Sequence, residues 1–408
     1  MRLLFLTGQL PYPPHAGGAL RTFGLIEGLH ACGHEIDLLT FRDAAQAEMN
    51  VTPLTALCGE VTSAPTPQRT INTRLRELLL TNKADMQGRF YSAVYEQALQ
   101  QRLQANQYDV IQIESLEMAT YLAMIKRYAG KAKVIYDSFN AEYELQHLIY
   151  LTDRADVTRL PSAVYSLMQW RRLARFEGTV CKTVDHVIAV SDADAEAFRR
   201  LVPGLRVSVV PNGIHVQEYA RPAAPEQIEL GANALLFTGT MNYRPNVDAM
   251  LWFAKHVLPT IKAKVGDARL FVVGNKPHDK LDALRARQDI EITGFVQDVR
   301  PFLYNAAVYI APLRMGSGTR LKLLQAMAAG CAIVSTHVGA LGLDVQSGNE
   351  LLLADEAASF ADAVVSLLRN PTKRTELAAR AQRLVETQYD WSVILPRLLA
   401  VYRELGIG

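Results

Sequence analysis

What most constrains this chain is the recurrence of short, unbroken aliphatic runs separated by helical patterns. The runs at 3–7, 35–41, 109–114, 133–137, 186–190 and 207–210 form one set; those at 234–238, 269–273, 290–293, 308–311, 332–335 and 350–353 form another. Most do not alternate apolar with polar residues, so both faces of such a strand need cover, as in a parallel sheet between helix layers. Amphipathic stretches at 20–31, 250–264 and 320–329 supply that cover. The fold class expected is α/β and doubly wound.

The rhythm resets once. Val210-Pro211-Asn212-Gly213-Ile214 closes the first set, a polar Pro- and Ala-rich stretch fills 219–231, and a new strand follows. Two domains are expected, 1–210 and 211–388, in line with a length of 408 residues. The last stretch, 389–408, carries Trp391, Ile394, Leu395, Leu398 and Tyr402 at helical spacing after the second sheet is complete. It is expected to be a helix that crosses back to the first domain. A hydrophobic fraction of 49% is ample for two cores.

Several classes drop out. Lys+Arg of 43 against Asp+Glu of 41 leaves a net charge of +2, without segregation, which excludes a dedicated nucleic-acid binder. Cys32, Cys58, Cys181 and Cys331 lie far apart with no CxxC pair, which argues against a disulfide framework and fits a reducing compartment. The apolar start, Leu3-Leu4-Phe5-Leu6, stops at Gly8 and meets Pro11, Pro13 and Pro14, so it reads as a buried strand rather than a secretion signal. No run approaches the ~18 apolar residues of a membrane span. The expected location is cytoplasmic, with a peripheral contact at the inner face of the cell membrane left open. Trp170-Arg171-Arg172 and the stretch 69–80 have the mixed basic and apolar character of interfacial helices, and equally that of ordinary solvated ones.

In open α/β sheets ligands bind beyond the carboxyl ends of the strands, so the loops after strands carry the candidates. After the first strand, His15-Ala-Gly17-Gly18 precedes a helix. The paired glycines either offer amides to a phosphate or serve turn geometry. After the run at 308–311 comes Gly316-Ser317-Gly318-Thr319-Arg320-Leu-Lys322, with a helix expected from about Thr319. Cations are disfavoured at a helix N-terminus unless an anion is bound there, so Arg320 and Lys322 point to one. Gly239 follows the first strand of the second domain, and Arg244 in the same loop either reaches a diphosphate or caps its loop. Gly274 and the group Gly294, Phe295 and Val296 lie at further strand ends, where backbone can form a slot for a nucleobase. Ser191-Asp192-Ala-Asp194 superficially resembles a metal motif, but N-capping of the following helix explains it better, and no metal site is expected.

Taken together, these motifs resemble the GT-B fold glycosyltransferases of family 4, the retaining group, and in particular the branch common in exopolysaccharide assembly. The resemblance implies two Rossmann-like domains facing a cleft, with a nucleotide-sugar donor (UDP- or GDP-linked) on the second and a glycan or polyprenyl-linked acceptor on the first. It implies no cofactor and no metal. Arg320, Lys322 and Arg244 would stabilise the leaving diphosphate, and the amides of Gly316, Ser317, Gly318 and Thr319 would hold the sugar. Gln325, where the family has a glutamate, would bind the ribose, and Ser317 stands in place of the other family glutamate. Phe139 occupies the position of a family histidine, which leaves that role vacant or filled by His15. Asp137 and Asn140 are the remaining catalytic candidates, and Glu114 and Glu142 would line the acceptor side. Two alternatives remain open: an epimerase or phosphorylase of related fold, although an epimerase calls for acidic and histidine groups that Ser317, Gln325 and Phe139 remove, and a catalytically weakened partner subunit, which those same departures motivate.

Overall fold

The computed structural model describes residues 1–14, 17–43, 51–154, 159–223, 226, 228–316 and 320–407. Two compact units emerge: Met1–Asn212 with Ile394–Gly408, and Gly213–Val393.

In the first unit the strands are β1 (Arg2–Leu6), β2 (Glu35–Arg42), β3 (Glu60–Pro65), β4 (Val110–Glu114), β5 (Lys133–Asp137), β6 (His186–Ala189) and β7 (Val207–Val209). Among the described residues they form a parallel sheet in the order β3-β2-β1-β4-β5-β6-β7. In the second unit, β8 (Ala234–Thr238), β9 (Arg269–Val273), β10 (Ile290–Gly294), β11 (Val308–Ala311), β12 (Ile333–Ser335) and β13 (Leu352–Leu353) pair in parallel as β10-β9-β8-β11-β12-β13. In both sheets the first strand is central and the order reverses beside it, between β1 and β4 and between β8 and β11. These are the switch points at which α/β sheets open a ligand crevice.

The unbroken aliphatic runs are buried as expected. Leu235, Leu236 and Phe237 of β8 have no exposed surface, and burial of such a side chain contributes about 1.5–3 kcal/mol. The sequence expectation omitted β3. Glu60-Val-Thr-Ser-Ala-Pro65 is an edge strand with only Ala64 buried, so it lacks the aliphatic run that marks a covered strand, and Pro65 ends it. The stretch expected as one helix at 250–264 is two helices, Arg244–Trp252 and Leu258–Lys264, joined by a π-turn at Phe253–Val257. Ser191 caps the helix Asp192–Leu201 by accepting the Asp194 N–H at 3.2 Å, and the Asp194 carboxylate in turn accepts the Ala141 N–H at 3.0 Å. Among the described residues no helix is long and apolar enough to cross a membrane.

The helix Trp391–Glu404 returns the chain to the first unit from Ile394 onward. There Leu395 packs where Gly28 leaves room for it, since a Cβ on Gly28 would fall 2.9 Å from Leu395 Cδ2. Tyr402, fully buried, donates its hydroxyl to Gln112 Oε1 of β4.

Candidate functional site

In the second unit three glycines from adjacent strand ends lie in the order of the sheet. Gly294 accepts the Gly274 N–H at 3.1 Å, and a Cβ on Gly274 would lie 1.7 Å from the Gly239 carbonyl oxygen. The loops after β8 and β9 therefore touch backbone to backbone, held by Gly239 N–H to Val273 O at 3.0 Å and Met241 N–H to Asn275 O at 2.8 Å. Gly274→Ala must push these loops apart. The expected result is a loss of about 1–3 kcal/mol of stability in this unit, measured by thermal or urea unfolding. An unchanged melting curve would show that the loops part freely.

Beside Gly239 stands Lys322, in the first turn of the helix Leu321–Ala328. A Cβ on Gly239 (φ +152°) would lie 2.7 Å from Lys322 Nζ and 2.8 Å from Asn246 Nδ2, so only glycine admits the ammonium here. Lys322 Nζ donates to Asn246 Oδ1 at 2.9 Å and sits 4.3 Å from the centre of the Phe237 ring. Burial, and then the nearby Arg320 guanidinium, pull its pKa down to about 7. Arg320 immediately precedes the helix and is buried; Gly316, with φ +121°, leaves space against which its Nη2 lies. The helix begins at Leu321, two residues later than expected, so Arg320 is the N-cap residue. A buried and a half-buried cation at a helix N-terminus oppose both the macrodipole and each other, a cost that a bound anion removes.

The remaining expected donor contacts divide. Gln325 Nε2 donates to the Tyr219 hydroxyl at 2.8 Å, and burial lifts that phenol to about 12. Arg244 opens the helix Arg244–Trp252 and is exposed, with Pro245 behind it. Phe295, 64% exposed, and the half-buried Val296 follow Gly294 at the sheet edge. Ser317, Gly318 and Thr319 lie outside the described residues, as does His15.

In the first unit a cavity of about 170 Å³ opens beyond β1 and β4. Glu114 forms part of its wall, with Thr7, Thr22, Ser115 and Glu117 as further polar groups and Phe90 and Phe139 as apolar ones. Glu114 accepts from Thr22 Oγ1 at 2.9 Å and from Gln112 Nε2 at 2.7 Å. Burial first, then the neighbouring Asp137, raise its pKa well above the usual carboxylate range. Gly17 and Gly18 begin the helix Gly17–Ala31. A Cβ on Gly18 would come 2.8 Å from the Phe139 ring, so this glycine seats an aromatic side chain against the cavity. Asn140 donates to Glu142 at 3.2 Å, and burial, then Glu117 and Glu177, raise the Glu142 pKa to about 8.

Asp137 requires a correction. Expected among the catalytic groups, it is completely buried and receives two nitrogens of Arg21, with Nη2 at 2.7 Å and Nε at 3.1–3.2 Å. Arg21, itself 1% exposed, also donates to the carbonyls of Val210 and Pro211 and to Asn212 Oδ1. The carboxylate thus ties β5 to the first helix and to the segment after β7, and presents nothing to a substrate.

Comparison with known proteins identifies the architecture. The model described as "Glycosyl transferase 4-like domain" matches residues 16–213, and that described as "Glycosyl transferases group 1" matches residues 232–370. The chain belongs to the GT-B glycosyltransferases of family 4 type. Phosphatidyl-myo-inositol mannosyltransferase of Propionibacterium freudenreichii is 27% identical over 63% of this chain and 66% of its own length. That of Mycobacterium tuberculosis is 29% identical over 54% and 59%. The aligned segments thus span less than two thirds of these relatives. A 44.6 kDa protein in the cps region of Klebsiella pneumoniae is 21% identical over 95% of this chain and 96% of its own. Among solved structures, Anabaena HepE in complex with UDP aligns with a TM-score of 0.68 at 16% identity, covering 99% of this chain and 100% of that one. Sucrose-phosphate synthase of Thermosynechococcus elongatus aligns with a TM-score of 0.73 at 17% identity, covering 99% of both chains.

For this glycosyltransferase the sequence argument missed several groups. Asn246 was passed over beside Arg244, although a buried polar residue just inside a Pro-started helix is a usable signal. Asn275 has a buried Oδ1 with no hydrogen-bond partner among the described residues, next to Lys276 in left-handed backbone (φ +50°). Ser115, at φ +78° and ψ 158°, holds a conformation costly for any side chain at the cavity wall, and nothing in its sequence neighbourhood announces this.

Proposed function

We propose that this glycosyltransferase moves a hexose from a UDP- or GDP-linked donor to a hydroxyl of a glycan or lipid-linked acceptor, with retention of anomeric configuration, in surface polysaccharide assembly. The observation that carries the proposal is the half-buried Lys322 side chain at a helix start, its ammonium against Gly239 and near Arg320. That arrangement suits a diphosphate and little else. Gln325 with Tyr219, and the strand ends at Gly274 and Gly294, would receive the nucleoside, while the cavity at Glu114 would take the acceptor, its two phenylalanines against a sugar face and its polar groups at the hydroxyls. The UDP bound in the HepE structure and the mannosyltransferase names of the relatives support the same donor class.

In the proposed reaction the bond from the anomeric carbon to the diphosphate oxygen breaks, and a bond to the acceptor oxygen forms on the same face. The acceptor proton passes to the departing phosphate, and Arg320 and Lys322 stabilise the charge that develops there. Because these cations supply the counter-charge, transfer is expected to proceed undiminished in EDTA.

The test is calorimetric titration with UDP and GDP across pH, paired with transfer assays on a nucleotide-sugar panel. Lys322 in the free protein titrates near 7, and a bound diphosphate raises that value. Binding must therefore take up a proton above pH 7, and affinity should fall by up to about tenfold per pH unit between 7 and 9. Failure to bind any nucleotide would remove the proposal. Affinity independent of pH over that interval would remove Lys322 from it, and an inverted product anomer would remove retention.

A further inference from the structure

The segment that joins β11 to the helix Leu321–Ala328 is tied at both ends to one element, the helix Arg244–Trp252. At its far end Asn246, 5% exposed, accepts Lys322 Nζ and itself donates to the Thr240 carbonyl at 2.9 Å. At its near end Asp248, two residues along the same helix, receives Arg314 as a fork, with Nη2 at 2.7 Å and Nε at 3.0 Å.

The Arg314 end is well seated. Leu313 before it is buried, and its carbonyl accepts the Thr336 hydroxyl. The guanidinium lies 5.7 Å from the centre of the Trp252 ring, and Trp252 in turn meets Phe360 edge-on at 6.1 Å. Two residues after Arg314 comes Gly316, where a Cβ would fall 2.6 Å from Arg320 Nη2. The backbone at Gly316 therefore limits where the Arg320 guanidinium can lie, and Asp248 acts on that backbone through Arg314. One helix thus sets both cations, Lys322 directly and Arg320 at one remove.

The fork does little for the fold. Its side chains are 45% and 23% exposed, and ion pairs this open to water contribute little to stability. What two parallel N–H···O bonds do supply is a fixed distance and angle.

We propose that Arg314 is a positioning residue for the donor diphosphate: with its charge met by Asp248, it touches no substrate but fixes the backbone at Gly316 and so aims Arg320. The proposal rests on the reading of Arg320 and Lys322 as the diphosphate site. Small displacements at such a site are costly, with about 1 Å worth up to ~10²-fold.

The test is calorimetric titration of the full chain with UDP, or with GDP where the wild type prefers it, alongside melting temperatures. R314A and D248A should each weaken binding about tenfold while melting within about 2 °C of wild type. The double variant R314A/D248A should bind no more weakly than either single one, because both changes remove the same clamp. R314K should bind as weakly as R314A, since an ammonium keeps the charge but cannot form the fork. The fall in affinity between pH 7 and 9 should persist in R314A, where Asn246 still holds Lys322. A wild type that binds neither nucleotide would remove the diphosphate site and this inference with it. A wild type that binds, with R314A and D248A binding equally well, would overturn the clamp alone. Wild-type affinity in R314K, or affinity kept or raised in D248A, would make Arg314 a direct ligand of the phosphates and overturn its positioning role. Affinity lost together with melting temperature, or with the pH dependence, would make the pair a structural one, with the same consequence.

Discussion

Replacing Lys322 with Met lowers glycosyl transfer by about 10²–10³-fold and at the same time raises the melting temperature of the unliganded protein. The first effect follows from the role of the ammonium: a preorganised charge at the departing phosphate is worth that much when removed. The second follows from its burial. The folded-state pKa near 7 lies far below the ordinary lysine value of 10.5, so the charged form is the disfavoured one in the folded protein. The destabilisation is present in full below pH 7 and is relieved as pH rises from 7 towards 10.5. Met keeps the length of the side chain and the contact with Phe237 but forfeits the bond to Asn246. A net gain of about 1 kcal/mol at pH 6.5 is the expected balance, equivalent to ~2–4 °C. Scanning calorimetry of the free protein and steady-state transfer rates check the two halves separately. A variant that loses both stability and activity would mean that Lys322 is a structural group.

Arg21→Leu has the largest expected effect on stability, a loss of about 3–5 kcal/mol at neutral pH, because it strands Asp137 in a dry interior. The loss should depend on pH with a definite sign. Burial holds Asp137 above its usual value and Glu114 at about 8, so in this region the folded state binds more protons than the unfolded chain. Their protonated forms favour folding fully below about pH 4, and that contribution fades as pH rises through the folded values. Without the guanidinium, Asp137 rises further. The deficit of the variant is therefore greatest above pH 8 and narrows towards pH 5. Urea unfolding at several pH values measures it. A deficit that is small, or equal at pH 5 and pH 8, would show that Arg21 does not hold these acids in place.

These two residues also show what could be read ahead of the structure. Lys322 was visible because its anomaly is local: a cation in the first turn of a helix after a glycine turn needs no distant partner to look out of place. Arg21 was not, although it sits six residues from His15, in the helix that follows a loop under scrutiny. Its meaning depends on Asp137, 116 positions away, and on the carbonyls of Val210 and Pro211. Asp137 itself, placed at a strand end, had the address of a functional residue and the environment of a core one. The same division runs through the fold. Covered strands advertise themselves by unbroken aliphatic runs, whereas β3, exposed on the sheet edge, carries too little apolar pattern to be seen. The π-turn at Phe253–Val257 keeps Phe253, Ala254 and Val257 buried, so the run of apolar residues continues across it.

The return of residues 394–408 to the first unit bears on how the protein is made. Every residue of the second unit is synthesised before the last helix of the first, so the second can finish folding while the first is still open. At translation rates of ~5–20 residues per second, the interval between Asn212 and residue 408 lasts about 10–40 s. Throughout that interval the first sheet lacks Leu395 against Gly28 and Tyr402 against Gln112. Nascent chains stalled before residue 394 should thus display a protease-resistant second unit beside a first unit that is still cleaved, and a ribosome-bound chaperone would find its substrate in the segment made earliest.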